Sequence, residues 1–221
     1  MIVCLFLDTD DQSRFSDEAR RVIREVAEAT EPDVRALLPN LPEEIELASQ
    51  TGDSVIPELG CDGTAWNPHR VNWTIDPSRP GGIEAIATTL LRPLLFHELH
   101  HLARGWVIFP RLPRERFIDS AVHEGLATAF ARDFSGTHEP LNKLFAEYPA
   151  DVEEWVRELL DLPLFAPYDD WMELHPDGRR YIGYRAGTYI SDRAIAASGR
   201  SASDLVLTPV REILKLAGIE G

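Results

Sequence analysis

A chain of 221 residues with 44% apolar and 27% charged side chains, five Trp among them, holds enough apolar material for a folded core and differs in composition from a disordered segment. Its formal charge of −15 repels phosphate backbones and anionic headgroups, which excludes nucleic acid and membrane surfaces as natural partners. The length predicts one domain, with an α/β part over 1–80 and a mainly helical part over 81–221.

Ile2 to Leu7 is a short apolar run of strand length. It lacks the basic flank and small-residue cleavage site of a signal peptide, and no run reaches the roughly 18 apolar residues that span a bilayer. After the loop Asp8-Thr9-Asp10-Asp11, the residues Phe15, Ala19, Val22, Ile23, Val26 and Ala27 recur at helical spacing, with Arg20, Arg21 and Arg24 opposite. Glu44 to Ala48 alternates as a half-buried strand, and Thr51 to Pro68, with its glycines and prolines, reads as turns and loop. Val71 to Ile75 is a strand; it either forms a sheet edge that receives extended substrate or lies inside the sheet under a helix.

Beyond Gly82 the pattern becomes helical. Ile83 to Leu102 keeps a helical period up to Gly105, and Pro93 inside it predicts a kink or a junction of two helices. A second helix is expected from about Arg114 to Phe134, loop over Asp161 to Pro167, a further helix over Tyr181 to Ala197, and a short last one opened by Pro209. Cys4 and Cys61 form no Cys-x-x-Cys pair and fit a reducing, cytoplasmic compartment, with one disulfide between them as the alternative.

The segment His97-Glu98-Leu99-His100-His101 carries the chemistry. Residues i and i+4 share a helix face, so His97 and His101 can reach one zinc ion, with Glu98 beside it as a general base. Such a site needs a third ligand, and Asp119, His123, Glu124, Asp133, His138 and His175 are the downstream candidates. Glu124 is the best placed, because it shares a helix face with the small residues Ala121 and Thr128; a salt bridge to Arg104 or Arg185 is the alternative use of its charge. His123 points elsewhere on the helix, His100 suits a surface or hydrogen-bonded role, and Asp119 or Asp133 suits the orientation of a ligand imidazole.

A His-Glu-x-x-His helix followed by a glutamate on a later helix resembles the gluzincin arrangement. More narrowly, His97 to His101, Glu124-Gly-Leu-Ala127 and Tyr181-Ile-Gly-Tyr-Arg-Ala-Gly187 resemble a family of zinc-dependent proteases catalogued as a domain of unknown function. The likeness spans about residues 60 to 200, and Leu99 stands where that family shows an aromatic. It implies an α+β, zincin-like fold with a small twisted sheet in the N-terminal third. One zinc per chain would sit on His97, His101 and Glu124, with Glu98 as base and a peptide or protein as substrate. Related gluzincins stabilise the reacting oxygen with Tyr or His; here Tyr184 is the candidate, ahead of Tyr181, Tyr189 and His175, while Arg185 suits a substrate carboxylate. A non-catalytic zinc-binding or partner-binding protein on the same scaffold is the alternative.

Overall fold

The computed structural model describes residues 1–7, 15–110, 115–137 and 140–219. The expected Asp8 to Asp11 loop, Arg114 and His138 lie outside the described residues. The chain forms two compact units, Met1–Leu112 and Pro113–Gly221, and its architecture is α+β.

The first unit runs β1 (Ile2–Phe6), α1 (Asp17–Leu37), β2 (Ile45–Thr51), β3 (Cys61–Asn67), β4 (Arg70–Ile75) and α2 (Gly82–Arg104). Ser16 starts α1 by accepting the Ala19 N–H at 2.9 Å, and Ala19, Ile23, Ala27, Thr30 and Val34 form its buried stripe. The sheet order is β1-β2-β4-β3, with β1, β2 and β4 parallel and β3 antiparallel to β4. Alternation in β4 buries Val71, Trp73 and Ile75 and leaves Arg70, Asn72 and Thr74 half-exposed. Helix α2 packs on α1, β3 and β4.

One open alternative is decided here and two expectations are corrected. Of the two placements open to Val71 to Ile75, the interior one holds, since β2 and β3 flank it on either side. The edge is β3, in a stretch whose glycines suggested loop; Gly63 tolerates the strand because a helix passes where its side chain would stand. Pro93 neither ends nor divides α2, which runs unbroken from Gly82 to Arg104 with Pro93 itself buried. Burial of the surrounding Leu90, Leu91, Leu94 and Leu95 outweighs the lost hydrogen bond.

The second unit is built of α3 (Phe117–Phe134), a π-helical turn (Asn142–Ala146), α4 (Val152–Leu160), α5 (Tyr168–Met172), α6 (Ile182–Ser198) and α7 (Val210–Leu216). Its centre is the α3–α6 crossing. A Cβ on Gly125 would stand 1.9 Å from the Gly187 carbonyl carbon, and one on Gly187 would stand 1.8 Å from the Ala121 carbonyl oxygen. Only glycine allows the two backbones to approach this closely. Ile118, Ala121, Val122, Leu126, Ile182, Ala186 and Ile190, all fully buried, pack around the contact.

Candidate metal centre

The His97 to His101 segment occupies the last two turns of α2. Helical spacing brings the two imidazoles to one face, with their Nε2 atoms 3.0 Å apart and the rings edge to face. Two ligand nitrogens about 2.0–2.1 Å from one tetrahedral zinc would be about 3.3 Å apart, so the pair is already near ligating geometry. The end of the helix shapes this face. Gly105, at φ 73°, closes α2 with a Schellman pair: its N–H donates to Leu102, and the Trp106 N–H donates to the His101 carbonyl at 3.0 Å. That reversal lays the Trp106 ring against the His101 imidazole, with centroids 4.7 Å apart. Trp106 is a residue the sequence reading missed, although Gly105, one turn after the motif, marks the end of the helix.

Glu98 is only 6% exposed, and a buried carboxylate needs compensation. It lies against the sheet edge: a Cβ built on Gly63 would come within 3.0 Å of Glu98 Oε1 and of both Leu94 methyl carbons. Gly63 is the second residue that sequence reasoning missed, being hidden in an apparent loop. His100 is fully buried, which removes the surface placement expected for it.

In the second unit, Glu124 sits in the middle of α3 and is 5% exposed, with Ala121 and Thr128 buried on the same helix. Several other candidates are committed elsewhere. The Asp119 side chain accepts from the Arg116 N–H and guanidinium and caps α3, while Asp133 pairs with Arg132 at 2.7 Å. His123 lies 3.5 Å from Glu115, and His175 pairs with Asp177 at 2.9 Å. Arg185 donates to the Leu144 carbonyl at 2.8 Å.

Of the aromatic candidates, Tyr189 donates its hydroxyl to Glu153 at 2.5 Å and accepts from Arg193. Tyr181 is buried, accepts from Arg180, and holds a left-handed backbone at φ 58°, a costly conformation outside glycine. Tyr184 stacks on Phe145, with ring centroids 4.4 Å apart.

His97 and His101 in the first unit and Glu124 in the second each offer one atom of a kind that ligates a metal ion. Residues 16–215 match the model of a family described as predicted Zn-dependent protease (DUF2268). The chain belongs to this family. The family description points to zinc and to hydrolysis, and the donor set fits: two imidazoles and a carboxylate are ordinary zinc ligands. No curated protein matches the chain.

Proposed function

We propose that this DUF2268 member is a zincin-like, gluzincin-type metallopeptidase that hydrolyses amide bonds in a peptide or protein substrate. The convergence of the His97 and His101 Nε2 atoms at 3.0 Å, with a buried glutamate between them in sequence, carries the reading. Glu124 completes a set of three ligands, with one zinc per chain. When bound, the ion supplies Lewis acidity, acidifying water and polarising the substrate carbonyl.

The rest of the chemistry belongs to side chains. Glu98 is one residue from a ligand and cannot turn onto the face shared by His97 and His101. Its carboxylate takes the proton of the attacking water and delivers it to the leaving amide nitrogen. Burial keeps that carboxylate from competing solvent and holds it in one place. Tyr184 donates a hydrogen bond to the carbonyl oxygen as charge builds there. Trp106 limits the rotation of the His101 ring and so keeps its Nε2 on the ligand face.

Glu98→Gln tests the reading. It should retain zinc and lose turnover of a denatured-protein digest by about 10²–10⁴-fold; full activity in that variant would refute the mechanism.

A further inference from the structure

A threonine inside a helix has a hydrogen-bond partner close at hand in the carbonyl one turn back. Thr30, Thr88, Thr89 and Thr188 use it, donating to the carbonyls of Val26, Glu84, Ala85 and Tyr184 at 2.6, 2.8, 2.8 and 2.9 Å. Thr128 of α3 departs from them. It is 5% exposed, and its Oγ1 is buried with no hydrogen-bond partner among the described residues. The backbone acceptor it forgoes is the carbonyl of Glu124, four residues back. A buried hydroxyl left unpaired costs stability, and valine would fill nearly the same space without that cost.

The helix sets what lies within reach of that hydroxyl. Helical side chains lean toward the N-terminus and cover the turn before their own. Thr128 is about 40° round the helix from Glu124, with Cβ atoms about 5–6 Å apart, so it stands over the turn that carries the Glu124 carboxylate. A carboxylate as buried as this one, 5% exposed, gains more from a nearby donor than an exposed one does.

We infer that Thr128 is a positioning residue for Glu124: its hydroxyl donates to the carboxylate oxygen that does not ligate, and so holds the other oxygen in place for the metal. The inference rests on Glu124 being a zinc ligand, as proposed above. A carboxylate that ligates through one oxygen keeps a second that accepts hydrogen bonds. The bond belongs to the loaded protein. A hydroxyl that is unpaired without the metal and paired with it favours loading, because its cost is carried by the metal-free chain alone.

The test uses the full-length chain and two readouts: zinc affinity by competition with a chromogenic chelator, and urea unfolding of the metal-free protein. Thr128→Val keeps the shape and removes the hydroxyl, so its Kd for zinc should rise about ten-fold or more. Thr128→Ser keeps the hydroxyl and should stay within about three-fold of the wild type. Without metal, Thr128→Val should unfold at a urea concentration no lower than the wild type does. In a Glu124→Ala background, Thr128→Val should change the Kd by less than about two-fold, because the hydroxyl acts through that carboxylate. If valine does not fit, Thr128→Ala against Thr128→Ser makes the same affinity comparison. Wild-type zinc affinity in Thr128→Val, with Glu124→Ala weakened, would overturn the inference and leave the ligand set standing. A Thr128→Val loss that persists without Glu124, or an easier unfolding of metal-free Thr128→Val, would also overturn it. Wild-type affinity in Glu124→Ala would remove the ligand and this inference with it.

Discussion

Glu98 and Gly63 define each other at the scale of single residues. A carboxylate that is 6% exposed has little freedom, and the missing side chain of Gly63 provides the space it occupies. Gly63→Ala adds a methyl group 3.0 Å from Oε1, so kcat should fall by about ten-fold or more at unchanged zinc content, since small misplacement of a catalytic group is costly. Kinetics beside metal analysis checks this, and unchanged kcat would mean that Glu98 sits elsewhere in the working enzyme. The two cysteines belong to another class. Both are free, and burial pushes the Cys4 and Cys61 thiols up to about 11 from 9.0. The thiolate is the reactive form, so alkylation of the native protein at pH 8 should run about 100-fold slower than in denaturant. Rapid labelling of the native chain would contradict the burial.

The α3–α6 crossing carries a clear magnitude at the scale of elements. Gly187→Ala would drive a methyl into the Ala121 carbonyl oxygen at 1.8 Å and should cost about 3 kcal/mol of unfolding free energy. Gly199→Ala meets nothing within 4 Å but sits at φ 66°, and should cost only about 1 kcal/mol. Equal losses in urea titrations would mean that the helices are not in backbone contact. The turn before α6 gives a pH signature. The Arg179 N–H, opposed by desolvation and joined by His175 and the Arg179 guanidinium, holds the Asp177 carboxyl down at about 2, below its ordinary 3.8. A depressed carboxylate stabilises the fold above its unfolded pKa and loses that contribution as pH falls through about 2. Carboxyl NMR should therefore place the Asp177 midpoint near 2; a midpoint near 3.8 would show the turn to be open.

Most elements were legible because a single periodicity dominates them. The five residues of Val71 to Ile75 alternate cleanly, and the leucines of α2 and the apolar stripe of α1 keep a helical period. Strand β3 was not legible. Its Gly63 and the glycines near it give a turn signal, and the reason for Gly63, a helix carboxylate against it, lies 35 residues away in the chain. The same limit left the placement of β4 open between edge and interior, which depends on finding β3 first. At the site, the spacing of His97 and His101 was legible from helix geometry alone, whereas Trp106 depends on a left-handed Gly105 that sequence marks only weakly.

The whole molecule combines a net charge of −15 with two units that each enclose a core of their own. No helix among the described residues is long and apolar enough to cross a membrane. A ligand that binds only the folded chain stabilises it by mass action, so zinc at about 1,000 times its Kd should add about 4 kcal/mol, and a chelator should lower Tm accordingly. Elemental analysis of the purified wild-type protein, beside Glu98→Gln, His101→Ala and Glu124→Ala variants whose folding is verified by circular dichroism, tests the central claim most directly. The account predicts about one zinc per chain in the wild type and in Glu98→Gln, with retention lost or sharply weakened in His101→Ala and Glu124→Ala. Full zinc retention in Glu124→Ala would contradict the ligand set, and a wild-type chain that takes up no zinc on titration would contradict the enzyme.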